Sequence, residues 1–275
     1  MDRRGSTLRS LQDSLGEIGR SSIRSSLGWS VSWWHVVQVG ALILVLALSP
    51  STYQRSHRAP LARHVYLGTA PILPWFALLS ALISLVLIRI VVVTALSYGL
   101  SQYALEMVIR VLVLELIPLT AALFVALRST VPSGAELIQM HARGEFAALQ
   151  RAGIDPLRHE LLPRVIAGIF AVLMLAAVSC GIAMLLAYLS VVGFTLGGLQ
   201  GFTRTLGQIF NPGVALIFAL KTLFFSLAVA LIPVAAFMRG QRSAGARSSP
   251  ELESLVRLFA AILLIEVVSL MSNYY

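Results

Sequence analysis

Residues 135–164 read AELIQMHARGEFAALQRAGIDPLRHELLPR, and they decide the fold because of what they interrupt. This stretch carries ten charged or histidine side chains, whereas long runs of apolar residues lie on both sides of it. Hydrophobic residues make up 57% of the chain and charged residues 12%, about half the share in an average soluble domain. The pattern predicts an all-α polytopic membrane protein, because about 20 apolar residues in a helix cross a bilayer and satisfy their own backbone hydrogen bonds.

Five apolar runs outside this stretch are long enough to span a membrane. They cover approximately 71–97, 104–128, 164–192, 213–239 and 254–273. The loops at one end are almost free of charge, whereas the segments 129–163 and 240–253 are basic. Basic loops stay on the cytoplasmic side, so we expect a multi-pass membrane protein with a cytoplasmic N-terminus and a C-terminus on the opposite side of the membrane.

The N-terminal part divides into two segments before the first of these spans. Residues 1–32 are polar with leucines at helical spacing, which predicts an amphipathic helix in the membrane interface. Residues 33–275 are expected to form the transmembrane domain. Its first apolar run, 33–49, is short and has basic residues on both sides, which favours a re-entrant or tilted helix. Whether this run crosses the membrane stays open.

The polar loop 129–163 has the pattern of an amphipathic helix. Its apolar side chains share one helical face: Ile138, Ala142, Phe146 and Leu149. Gly153 is placed to end this helix, and Asp155 followed by Pro156 is typical of the start of another one. From composition alone, a loop helix resting on the membrane surface explains the pattern equally well.

Six ionisable side chains stand out within the predicted spans: Arg89, Glu106, Arg110, Glu115, Lys221 and Glu266. Each would cost about 3 kcal/mol if it faced lipid. We expect them to line a polar cavity that opens outward and holds a lipid head group. The alternative is static ion pairing, for which Glu106 and Arg110 have the right i,i+4 spacing. Glu115 and Lys221 are the strongest functional candidates, because both lie too deep to reach the interface.

The sequence lacks the motifs of several kinds of functional site. There is no Gly-x4-Gly-Lys-Ser/Thr phosphate loop, so the chain lacks that type of nucleotide site. Neither His141 nor His159 belongs to a His-Glu-x-x-His zinc pattern, and Cys180 is the single cysteine. The net charge of +9 comes mainly from loops that flank apolar spans, which favours membrane orientation over nucleic-acid binding. We therefore expect no enzymatic activity, cofactor, metal or nucleic-acid partner.

The segment from Leu114 to Gly168 resembles the MlaE-type permeases, which are membrane subunits of lipid ABC transporters associated with MCE proteins. The matching residues are Glu115, Pro118, Ala121-Ala122, Ala135-Glu136, Met140, Glu145, Asp155-Pro156-Leu157-Arg158, Pro163-Arg164 and Ala167-Gly168. The spacing from Glu145 to Asp155-Pro156-Leu157-Arg158 is the most specific part. Downstream, the lone Lys221 and the acidic Glu266 also fit, so the resemblance covers most of residues 60–272.

The resemblance implies a permease subunit that moves phospholipid or a similar lipid between the inner membrane and a periplasmic MCE-domain protein. Two copies would pair around a cavity, and separate ABC ATPase subunits would hydrolyse ATP. The amphipathic helix would be the coupling helix that docks on the ATPase. Its expected contact residues are Arg143, Glu145, Phe146, Leu149 and Asp155.

Other classes of function remain open from the residues alone. An ion- or proton-coupled secondary transporter would use Glu115 and Glu266 as an intramembrane relay. An intramembrane enzyme would need a paired catalytic constellation, which the sequence does not offer. A non-transporting scaffold would tolerate substitution of Lys221 and Glu115. Either direction of lipid transport fits.

Overall fold

The computed structural model describes residues 36–43, 45–46, 55–100, 103–193, 196–240 and 250–274. Within these ranges every long element is helical and no strand occurs. The predicted interfacial segment 1–32 lies outside the described residues. The all-α membrane class predicted from the sequence is confirmed.

Eight helices follow a short helical stretch at residues 36–43. They are α1 Arg55–Thr69, α2 Leu73–Ser97, α3 Ala104–Ala142, α4 Glu145–Arg151, α5 Leu157–Val191, α6 Leu199–Ile209, α7 Pro212–Gly240 and α8 Pro250–Tyr274. A 3-10 turn, Leu196–Gly198, precedes α6. Two segments of α3, Ile109–Leu116 and Ala126–Thr130, and the first turn of α5, Leu157–Leu161, are π-helical.

Among the residues that the structure describes, five segments are long and apolar enough to cross a membrane. They are Ala62–Ser97, Ala104–Ala142, Leu157–Val191, Pro212–Met238 and Leu252–Asn273. All five predicted spans are confirmed as helices of this kind. Successive spans run in opposite directions, so α4 and the loop before α5 lie at one end of the bundle, here called the α4 end.

The structure differs from the sequence prediction in three places. Residues 55–69, expected to be a basic flank, form α1. The predicted single helix that ends at Gly153 is wrong, because α3 runs on to Ala142 and Gly144 breaks the chain with a φ of 75°. The segment between the predicted spans 164–192 and 213–239, expected to be a loop, contains α6, whose Phe202 and Ile209 are buried.

The helical stretch at 36–43 lies at the α4 end. Its Val39 and Ile43 are buried in the same cluster as Leu161 and Phe237. Eight helical residues rise only about 12 Å, which is less than half of a bilayer core. The prediction of a re-entrant or tilted element at 33–49 stays a prediction, since the rest of that run lies outside the described residues.

The core consists of three apolar clusters stacked along α5. Residues 161–165 of α5 contribute to the cluster at the α4 end, residues 171–176 to the middle one, and residues 180–187 to the far one. α5 packs against α1, α2, α3 and α7, whereas α8 packs mainly against α7. α5 is therefore the central helix of the bundle.

Small residues on α5 allow this central position. Ala171, Ser179, Ala183 and Ala187 are all buried, and they recur at intervals of four or eight residues. Without a hydrophobic driving force between helices in lipid, small residues at such spacing let backbones approach closely and gain van der Waals contact. A close approach occurs at Gly168, where an added Cβ would lie 3.2 Å from Thr130 Cγ2 and 3.3 Å from Ala230 Cβ.

We expect Gly168→Leu to reduce the free energy of unfolding by about 1–3 kcal/mol, because the larger side chain must push α3 and α7 away from α5. The matched control is Gly181→Leu on the same helix, where an added Cβ meets no atom within 4 Å. Thermal unfolding of both purified variants in detergent measures the difference. Equal stability of the two variants would contradict this account of α5 packing.

Candidate functional site

A buried cluster of three ionisable side chains connects α3, α7 and α8. Lys221 Nζ donates a hydrogen bond to Glu115 and lies 2.9 Å from Glu266 Oε2. Only 2% of the Lys221 side chain is exposed, against 11% for Glu115 and 12% for Glu266. The ammonium also lies 5.8 Å from the ring centroid of Phe225. We call Glu115, Lys221 and Glu266 the charge triad.

The charge triad lies within the apolar thickness of the bundle. Measured from the helix ends opposite to the α4 end, Glu266 is about 12 Å deep, Lys221 about 14 Å and Glu115 about 16 Å. These depths approach the middle of an apolar core about 30 Å thick. A buried charge there is stable only when a partner of opposite sign and hydrogen bonds compensate for its lost hydration.

A proline supplies one of the acceptors that Lys221 uses. Pro118 has no N–H, so the carbonyl of Leu114 loses the hydrogen bond that residue i+4 would normally donate to it. Lys221 Nζ donates to this carbonyl oxygen at 3.3 Å. Leu114 and Glu115 belong to the π-helical segment Ile109–Leu116, and such segments frequently mark functional positions. Pro118 and the π-helical segment together leave a backbone carbonyl oxygen that can accept a hydrogen bond from the lysine.

The charge triad has one acid more than it has bases. If all three groups are ionised, the two carboxylates share one ammonium and the cluster has a net charge of −1. Such an arrangement attracts a second cation or a proton more readily than a neutral ion pair does. Chemically, the charge triad can bind a polar group that reaches this depth, or it can fix the relative positions of three helices.

The other predicted cavity residues lie apart from the charge triad. Arg110 Nε donates to Glu106 Oε1 at 2.9 Å, and both side chains are about one third exposed. This is the i,i+4 pair considered in the sequence analysis. Arg89 is exposed on α2 and has no ion-pair partner among the described residues. The structure therefore brings together Glu115, Lys221 and Glu266, but it does not add Arg89 or Arg110 to them.

The candidate coupling surface is α4 with its flanking residues. Arg143 and Asp155 are exposed, while the Glu145 side chain is 41% exposed and its Oε1 lies 3.6 Å from Arg143 Nη1. Asp155 Oδ1 accepts a hydrogen bond from the Leu157 N–H at 3.0 Å, and its other oxygen lies 3.7 Å from Arg158 Nε. The predicted role of Asp155 in starting the next helix is confirmed. The polar face of this segment is free for contact.

The opposite face of α4 packs on the bundle. The Phe146 ring lies 5.5 Å from the ring of Phe237 on α7 and 5.8 Å from that of His141, measured between centroids. Leu149 is half-buried. Gly144 and Gly153, with φ of 75° each, bound α4 on its two sides in a conformation that other residues rarely adopt. α4 is thus a short helix with one packed and one exposed face.

Two ionic clusters near the α4 end were missed by the sequence analysis. Arg164 is hydrogen-bonded to Glu160 and lies 3.5 Å from Glu136 Oε2. Arg257, within the fifth predicted span, is buried and pairs with Glu253. The i,i+4 spacing of both pairs, Glu160–Arg164 and Glu253–Arg257, was the signal available in the sequence. In the part of the chain described, no group of three His, Cys, Asp or Glu side chains could hold a metal ion.

Five apolar helices around a buried charge triad, with a structured polar loop at one end, define a multi-pass membrane protein. Comparison with protein families identifies the class of membrane protein, because the family model described as Permease MlaE matches residues 61–271. The chain therefore belongs to the MlaE permease family, which confirms the resemblance found between Leu114 and Gly168. It is a transport subunit of the ABC type rather than an enzyme. No curated protein matched the chain significantly.

We expect Lys221→Met to reduce stability by about 3–5 kcal/mol, because it leaves Glu115 and Glu266 buried together without their cation. The triple variant Lys221→Met, Glu115→Gln, Glu266→Gln should regain most of that loss, since it removes every charge at similar volume. Thermal unfolding in detergent compares the two variants with the wild type. Wild-type stability of Lys221→Met alone would mean that water or lipid, rather than the two acids, compensates for the lysine.

Proposed function

We propose that this protein is the permease subunit of an ABC transporter that moves phospholipid or a similar lipid between the bacterial inner membrane and a periplasmic MCE-domain carrier. A separate ATPase supplies the energy, since the sequence has no phosphate loop of its own. The α4 end is cytoplasmic in this proposal, the C-terminus is periplasmic, and a second copy of the chain completes the transport unit. Membership of the MlaE permease family supports this assignment.

The observation that carries the proposal is the packing of Phe146 against Phe237. Phe237 and Lys221 are on the same helix, α7, and their separation of sixteen positions corresponds to about 24 Å of helix. A protein that binds the exposed face of α4 therefore acts on a helix that reaches the charge triad. α7 is helical over this whole interval, although Pro233 removes one backbone hydrogen bond within it. Its remaining backbone hydrogen bonds resist compression, so the helix can transmit such a displacement.

In the proposed cycle, two ATPase subunits bind the α4 surfaces of two permease copies. ATP binding draws the ATPases together, and α4 with its packed partners transfers this motion to the transmembrane helices. Charge triad residues contact the lipid head group while the apolar helices face the acyl chains. Closure of the outward cavity then expels the head group toward the carrier.

We expect Glu145→Lys to weaken ATPase binding at least about tenfold, since reversing the charge at the centre of a docking surface removes one contact and introduces a repulsion. Co-purification of the ATPase with the permease in detergent measures the effect. The control is Arg204→Glu, a reversal on exposed α6 at the other end of the bundle, which should leave binding unchanged. Full retention of the ATPase by Glu145→Lys would exclude α4 as the docking element.

We also expect the charge-free triple variant of Lys221, Glu115 and Glu266 to keep the ATPase bound and to lose lipid transport by at least about tenfold. The reason is that the polar contact for the head group is gone although the helices still pack. Transfer of labelled phospholipid from proteoliposomes to the carrier, with and without ATP, measures the loss. Transport by wild type that follows a proton gradient and ignores ATP would instead favour a proton-coupled transporter with Glu115 and Glu266 as the relay.

A further inference from the structure

A second polar site lies outside the charge triad and outside the α4 surface. It is a cavity of about 900 Å³ between α1, the start of α2, α3 and the start of α5. Its volume is near the upper end of the usual range for ligand pockets, which is about 300–1,000 Å³. None of Glu115, Lys221 and Glu266 lines it. We call it the interfacial cavity.

The depth of the interfacial cavity corresponds to the level of lipid phosphates. Counted from the ends opposite to the α4 end, about 20 residues of α2 and of α3 cross the apolar core. The count ends at Leu78 on α2 and at Leu123 on α3, about 5 Å before Trp75 and about 8 Å before Arg128. Trp75 and Arg128 both line the cavity. Trp and Arg side chains are typical of this boundary between hydrocarbon and head groups.

The polar wall of the interfacial cavity contains two arginines, Arg128 and Arg164, and one carboxylate, Glu136. Arg128 is exposed and has no ion-pair partner or hydrogen bond among the residues that the structure describes. Arg164, which is 11% exposed, lies deeper and is held by Glu160 and Glu136. His64 and the hydroxyl groups of Ser129 and Ser133 add further hydrogen-bonding groups. A phosphate oxygen is the natural partner for a guanidinium in such surroundings.

The remaining wall of the interfacial cavity is apolar. Leu67, Ile72, Trp75 and Phe124 contribute to it, and Leu67 and Trp75 are more than half exposed. The segment Ala62–Ser97 is the least buried of the five candidate spans, so the cavity opens toward the lipid side of the bundle. A polar wall at phosphate depth, together with an apolar opening toward the bilayer, fits an amphiphile better than a water-soluble anion.

We propose that the interfacial cavity binds the phosphate-bearing head group of a membrane phospholipid from the leaflet at the α4 end. Arg128 pairs with the phosphate, and the acyl chains leave along Trp75 and Leu67. The inference deepens the proposed function and relies on it only for the choice of a lipid as ligand. Its test needs neither the ATPase nor transport, so its failure leaves the proposed transport function standing.

The experiment uses the full chain in nonionic detergent with Trp29, Trp33 and Trp34 replaced by phenylalanine, so that Trp75 is the only tryptophan. Phosphatidylethanolamine with brominated chains is titrated at low mole fraction, and quenching of Trp75 fluorescence is recorded. Brominated diacylglycerol, which has the same chains but no phosphate, is titrated in parallel. We expect saturable quenching by the phospholipid, with half-saturation at a mole fraction at least about tenfold lower than for diacylglycerol.

Two variants and one matched control test the site itself. Arg128→Gln should abolish the preference for the phospholipid, and Ser133→Phe, which fills the cavity, should weaken saturable quenching at least about tenfold. Arg63→Gln removes an exposed arginine on α1 that does not line the cavity, and it should keep the preference. Equal quenching by both lipids in the parent protein, or an unchanged preference in Arg128→Gln, would overturn the proposal. Displacement of the phospholipid by glycerophosphoethanolamine at equal concentration would overturn the choice of a lipid.

Discussion

The bundle depends on the burial of a single ammonium group. Lys221 lies where hydration is lost, so the protein must supply its partners, and it does so from three directions. The acids come from α3 and α8, and a carbonyl of α3 accepts a third contact. A shift of α7 by one turn, about 5.4 Å, would separate the ammonium from all of them. One residue therefore fixes the positions of three helices relative to one another along their axes. Apolar packing alone would allow one helix to slide along another.

This constraint is relevant to the proposed function because α7 also contacts α4. Near one end it holds the lysine, and near the other it holds Phe237 against Phe146 of α4. The two contacts differ in kind, since one is ionic and enclosed by apolar side chains and the other is aromatic and borders an exposed surface. A force applied at the aromatic contact meets a helix whose height is set by the charge triad. The transport proposal depends on this mechanical link.

The sequence was sufficient for the spans because an apolar run of about 20 residues has few other stable structures in a cell. It was sufficient for the pair Glu106–Arg110 because i,i+4 spacing defines a contact within one helix. The sequence did not specify which of the ionisable side chains within the spans contact one another. The depth of a residue in the membrane follows from its position along the helix. The direction of its side chain depends on how the helix is rotated about its own axis, and the π-helical segment before Pro118 changes that rotation. The sequence separated Glu115 from Arg89 by depth alone, and it did not show that Arg89 is exposed whereas Glu115 is buried against Lys221. The helix break at Gly144 could not be predicted from the apolar pattern, because Ala142 and Phe146 are four residues apart, as they would be on one face of a continuous helix.

The contact between Lys221 and the Leu114 carbonyl joins two positions whose side chains are not partners. Pro118 frees the oxygen and Lys221 occupies it, although a proline ring and an ammonium group have no direct attraction. Restoring an amide at position 118 would let the backbone compete with the lysine for the same oxygen. Positions 118 and 221 are therefore linked through a main-chain atom, so the effect of a substitution at one of them depends on the residue at the other.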